Sequence, residues 1–186
     1  MRVHSLALTA WPLALAGGPG AAFAVDYLTP VQAQQALFPQ ADRFDVRNVQ
    51  FDAAQLQAVA QRSGVPARSA QWKVLQASQG GKALGWVVID NVVGKFELIT
   101  YAVGIALDGS VKQVEVLSYR ESHGGEIRLP AWRKQFVGKT ASEPIKVGQD
   151  IANISGATLS CSHVSEGIKR ITAVMELALA SKQLSA

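Results

Sequence analysis

The sequence predicts a single α+β domain: an antiparallel sheet with a central hairpin, packed by helices that include a long C-terminal amphipathic one. Three observations carry this. Ile99, Tyr101, Val103, Ile105 and Leu107 alternate strictly with Thr100, Ala102, Gly104 and Ala106, the period-2 pattern of a strand. Asp108-Gly109 then supplies a hairpin turn into a second apolar run, Val111 to Tyr119. Val164, Ile168, Ile171, Met175 and Ala178 recur at helical spacing, giving an amphipathic helix of about four to five turns.

The elements follow in chain order. Arg2 opens the sequence and Ser5 to Val25 carries no charge. By length this span could cross a bilayer, but Gly17, Gly18, Pro19 and Gly20 break it, and Ala22-Phe23-Ala24 follows as an A-x-A cleavage pattern. It reads as a signal peptide over residues 1–24, with the mature chain exported. Residues 25–69 read as an N-terminal helical segment. Thr29-Pro30-Val31-Gln32 has the form of a capping box opening a helix to about Leu37. Asp52 is the expected N-cap of a second helix, with Gly64 as its stop. Trp72 to Ala77 and Leu84 to Ile89 are expected strands around the turn Gln79-Gly80-Gly81-Lys82. The small face of the Ile99–Leu107 strand needs a close neighbour, with a packed helix favoured over a ligand. Ser122-His123-Gly124-Gly125 reads as a flexible loop, Pro130 to Phe136 as a short helix, and Gly138 to Asp150 as loop with one short strand. Glu166, Lys169, Arg170 and Glu176 fall on other faces of the last helix, where Lys169 and Arg170 are expected to be solvated.

Composition bounds the function. Of 186 residues, 48% are hydrophobic and 17% charged, a globular balance. The net charge of +4 is spread without an arginine-rich run, which argues against a nucleic-acid partner. Cys161 stands alone, so no internal disulfide forms, and it reads as a small buried residue. No phosphate-loop, dinucleotide or zinc-protease motif occurs. His123 and His163 without a second cysteine make a poor metal site. Nor is there a nucleophile elbow to go with His123-Gly124-Gly125.

One stretch stays open on physical grounds. Ser155-Gly156-Ala157-Thr158 precedes the long helix. A helix N-terminus presents unpaired amides and partial positive charge, which attract phosphate. Gly156 and Ala157 permit close approach, and Thr158 and Ser160 offer hydroxyls. Alternatively, Ser155 or Thr158 merely caps the helix.

Asp150-Ile151-Ala152-Asn153-Ile154-Ser155-Gly156-Ala157-Thr158-Leu159-Ser160 resembles the flavinylation motif of the FMN-binding domain family, whose members include flavin-carrying subunits of the sodium-translocating NADH:quinone reductase and of the RNF electron transport complex. The resemblance covers about residues 70–186, with the Ile99–Tyr119 hairpin similar to the family's central strands and Trp132 to Lys139 to a connection in small exported members. It implies FMN held covalently by a phosphoester to Thr158, transferred from FAD by a periplasmic flavin transferase. Where the respiratory members read E-T-P-G-[LIV]-G, this chain has Glu121-Ser122-His123-Gly124-Gly125-Glu126. The resemblance places Glu121, Ser122, His123, Gly124 and Gly125, with Trp132 or Tyr119, against the flavin ring, and allows Arg120 to balance a reduced flavin. It implies a monomeric electron carrier between a membrane-bound donor and an unidentified acceptor, rather than a self-sufficient enzyme. A non-flavinylated binding module, a flavin-dependent reductase of a small substrate and a component of a membrane complex are the alternatives.

Overall fold

The computed structural model describes residues 25–184; the expected signal peptide lies outside them. Two helices form where capping chemistry places them. Helix α1, Pro30–Leu37, has Thr29 and Gln32 in a reciprocal capping box. Helix α2, Ala53–Ser63, has the same arrangement from Asp52 and Gln55, and stops at Gly64 in the left-handed conformation.

The sheet has six antiparallel strands: β1 (Val25–Asp26), β2 (Arg43–Gln50), β3 (Gln71–Gln79), β4 (Lys82–Val93), β5 (Leu98–Ile105) and β6 (Val111–Tyr119). They lie in the order β1-β6-β5-β4-β3-β2. β5 and β6 form the expected hairpin, Val103 opposite Val114. β5 stops at Ile105, so Leu107 is outside the strand and 45% exposed. The N-terminal segment expected to be helical also carries β2, an edge strand paired only with β3.

The two faces of β5 are covered by different helices. Ala102 and Gly104 lie under α1; a Cβ added to Gly104 would stand 3.3 Å from Leu37 Cδ2. The helix expected to cover the small face is thus α1. Ile99, Tyr101, Val103 and Ile105 point into the main core with α4, Thr158–Ala180. At 23 residues this helix is longer than expected, since Thr158 itself begins it. Val164, Ile168, Ile171 and Met175 are fully buried, each contributing about 1.5–3 kcal/mol.

Arg170 is not solvated. It is 5% exposed and donates to Asp90 on β4 at 3.1 Å, while the Tyr101 hydroxyl donates to the same carboxylate oxygen at 3.0 Å. Gly167 makes room for this group, because a Cβ there would fall 2.0 Å from the Tyr101 hydroxyl. Burial, with Asp90 beside it, holds the Tyr101 phenol well above its ordinary pKa. A charge on the core side of a helix is tolerated here because its partner is carried in by the adjacent strand.

After β6, a 3-10 turn at Gly125–Arg128 leads into α3, Pro130–Arg133, and a second 3-10 turn at Lys134–Phe136. Between residues 138 and 150 no strand forms; Val147 and Ile151 make an isolated bridge. Asp150 organises that segment by accepting from the Ile145 and Lys146 amides and the Lys139 ammonium. No helix among the described residues is long and apolar enough to cross a membrane.

Candidate functional site

The stretch before α4 is built residue by residue. Ile154 to Ala157 is a tight turn, closed by the Ala157 amide donating to the Ile154 carbonyl at 3.0 Å. Gly156 occupies its third position at φ +79°, a conformation that favours glycine. Ala157 is 5% exposed and meets the loop after β6: a Cβ added to Gly124 would lie 2.0 Å from the Ala157 Cβ. Only a small residue fits there. Thr158 follows as the first residue of the helix and is exposed, with Asn153 donating to its hydroxyl at 3.0 Å.

Neither Ser155 nor Thr158 caps α4. Ala157 is the N-cap, and no side chain bonds to the first-turn amides. A side-chain cap is worth about 1 kcal/mol, several-fold less than the helix gains by burying its apolar face. Tertiary packing therefore fixes the start of α4 and leaves its amides available.

Facing Thr158 is a cleft of about 400 Å³ lined by Lys95, Phe96, Glu121, Ser122, His123 and residues 156–160. Glu121 ties its walls together. One of its oxygens accepts from the Phe96 amide at 2.7 Å and the Glu97 amide at 3.0 Å, bracing the turn between β4 and β5. Burial pushes the Glu121 carboxyl up, but the amides of Glu97, Phe96 and Lys95 together with the Lys95 ammonium prevail and hold it below its ordinary value. His163 holds the other end of the turn by donating from Nδ1 to the Val93 carbonyl at 2.6 Å. Ser122 Oγ and His123 Nδ1 share a 2.9 Å hydrogen bond at the mouth.

Several expected contacts are placed differently. Tyr119 is 3% exposed, beneath the cleft, with its hydroxyl donating to the His123 carbonyl and accepting from Ser160 Oγ at 3.3 Å. Burial raises its pKa, against the opposing Ser160 hydrogen bond. Ser160 is itself buried at 3% exposure, so its hydroxyl serves this internal contact. Trp132 is in the core, stacked edge-on against Phe136, and its indole N–H donates to the Ala152 carbonyl at 2.8 Å. It supports the Ala152–Asn153 backbone and does not line the cleft. Gly125 begins the 3-10 turn and is also outside the lining. Arg120 borders a separate hollow with Tyr27 and Thr100. Cys161 is buried, and burial pushes its thiol up. Lys95 and Phe96 join the site without a local signal in the sequence, and Asn153, inside the stretch that carries the resemblance but given no role there, joins it through its bond to Thr158.

Residues 94–173 match the model of the FMN-binding domain. The match covers 80 of the 186 residues. It spans β5, β6, the cleft loop and most of α4, so the matched segment contains Thr158 and every residue lining the cleft. Among solved structures, NqrC from Shewanella oneidensis is similar at 14% identity, with a TM-score of 0.47 over 78% of this chain and 88% of that chain. No curated protein matches.

The residues present fit FMN. The uncapped N-terminus of a 23-residue helix suits a phosphate. The cleft volume falls within the roughly 300–1,000 Å³ range of small-molecule sites, and its rim carries an exposed aromatic ring at Phe96. No group of acidic, histidine and cysteine residues able to hold a metal occurs among the described residues.

Proposed function

We propose that this protein carries FMN covalently on Thr158 and serves as an exported electron carrier, receiving electrons from a membrane-bound oxidoreductase and passing them to a periplasmic or extracellular acceptor. The observation that carries the reading is the placement of the Thr158 hydroxyl. It is exposed, oriented by Asn153, and set at an uncapped helix N-terminus facing a cleft. A flavin transferase of the periplasm would use FAD as donor. The diphosphate linkage of FAD breaks, Thr158 Oγ bonds to the phosphorus of the FMN half, the hydroxyl proton is released and AMP leaves.

Bound there, FMN supplies reversible uptake of one or two electrons. The chain supplies retention and position. An ester to Thr158 keeps the cofactor outside the cell, where no flavin pool replaces it. The remaining phosphodiester charge lies at the positive end of α4. Glu121, engaged by two backbone amides, acts as a brace for the cleft wall. With its carboxylate engaged in this way, Glu121 is tied up as a brace and not poised as a general acid or base, which supports a carrier over a self-sufficient enzyme.

The test is co-expression with a flavin transferase. Thr158→Ala is expected to yield colourless protein with an unchanged far-ultraviolet spectrum, whereas Ser155→Ala remains yellow. Covalently yellow Thr158→Ala protein would contradict the assignment.

A further inference from the structure

We infer that Phe96, on the turn between β4 and β5, is the platform on which the isoalloxazine ring rests, with Lys95 beside it as the cation that favours the reduced, anionic ring. The inference builds on the attachment of FMN to Thr158.

Of the aromatic residues near Thr158, Tyr119 is buried with its hydroxyl engaged, and Trp132 belongs to the core. Phe96 is the aromatic residue that lines the cleft, and it is 74% exposed. An exposed phenylalanine forgoes the gain of burial. Here it is displayed on a turn held from both ends, so looseness of the chain does not account for its exposure. Glu121 accepts from the Phe96 and Glu97 amides, the Gly94 amide donates to the Glu97 carbonyl at 2.8 Å, and His163 holds the Val93 carbonyl. Gly94 lets the turn sit flush, because a Cβ there would come within 2.5 Å of Glu121 Oε1 and 3.0 Å of Ser160 Oγ. An aromatic face on a braced backbone, across a cleft from the attachment point, is the arrangement that offset stacking with a flat heteroaromatic ring requires. The Lys95 ammonium already lies 4.9 Å from the Phe96 ring centroid. A cation there stabilises added negative charge on a ring stacked at the same place.

The experiment uses wild-type, Phe96→Trp, Phe96→Ala and Lys95→Gln proteins, each co-expressed with a flavin transferase and checked by intact mass. With Thr158 labelled, Phe96→Trp is expected to lose several-fold in flavin fluorescence, since a stacked indole quenches the excited flavin. Phe96→Ala is expected to lower the fluorescence anisotropy and visible circular dichroism of the flavin, as the ring becomes free to move about its tether. Lys95→Gln is expected to lower the midpoint potential. Fully labelled Phe96→Trp and Phe96→Ala proteins with wild-type emission and anisotropy overturn the stacking role alone. An unchanged potential in labelled Lys95→Gln overturns the role of the cation. Wild-type protein that gains no flavin mass overturns the attachment reading and this one with it.

Discussion

Asn153 donates from its side-chain amide to the hydroxyl of Thr158 across 3.0 Å, spanning the turn that precedes α4. The bond fixes the direction of the one exposed hydroxyl at the head of that helix and leaves its proton free to depart. If Thr158 is the acceptor of FMN, Asn153→Ala is expected to slow attachment about fivefold, the equivalent of one hydrogen bond of about 1 kcal/mol. Because both residues are exposed, stability should change by less than about 0.5 kcal/mol. A labelling time course by intact mass, beside a denaturant titration, checks both halves.

The Gly124–Ala157 contact joins the loop after β6 to the start of α4. Gly124→Ala would add a methyl group 2.0 Å from the Ala157 Cβ, at φ +86°. Overpacking and a disfavoured backbone together are expected to destabilise the protein by about 2 kcal/mol or more. Urea unfolding should show the midpoint falling, and Gly125→Ala, whose added Cβ meets nothing closer than 3.9 Å, should fall much less.

The ion pair under α4 gives a double test. Arg170→Met leaves Asp90 without its cation, and loss of one partner of a buried pair costs about 3 kcal/mol. Adding Asp90→Asn should recover a substantial part of that loss. Equal destabilisation by the single and double variants would mean that the pair is not coupled.

Glu121 predicts an acid response of the turn between β4 and β5. Its folded pKa lies below its unfolded value, which is about 4.3. The brace is therefore complete above that value and is lost as pH falls through the lower, folded one. Hydrogen-exchange protection of the Phe96 and Glu97 amides should persist at neutral pH and fall in that acid window. Glu121→Gln should reduce it roughly tenfold at neutral pH, since a neutral acceptor binds amides less strongly.

Much of the fold is legible in the sequence because its signals are local. Thr29 with Gln32, Asp52 with Gln55, Asp108-Gly109 and the spacing of Val164 to Ala178 each act within a few residues. β2 is not legible, since it is an edge strand whose Val46 is 51% exposed and whose Val49 alone is buried, leaving no alternation to read. Arg170 looks like a solvated charge until Asp90, far away in sequence, is brought beneath the helix. The small residues before Thr158 announce the site locally. Phe96 does not, because its place at the cleft depends on Glu121, 25 residues further on. Trp132 and Tyr119 have the chemistry of ring contacts, but the sheet and α3 bury them.

The most direct test of the central claim is the intact mass of the protein exported with and without a co-expressed flavin transferase, followed by peptide mapping. The account predicts a gain of one FMN less one water, only with the transferase, on the peptide containing Thr158. No gain, or a gain on another residue with Thr158 unmodified, would contradict it and return the exposed hydroxyl to an ordinary helix start.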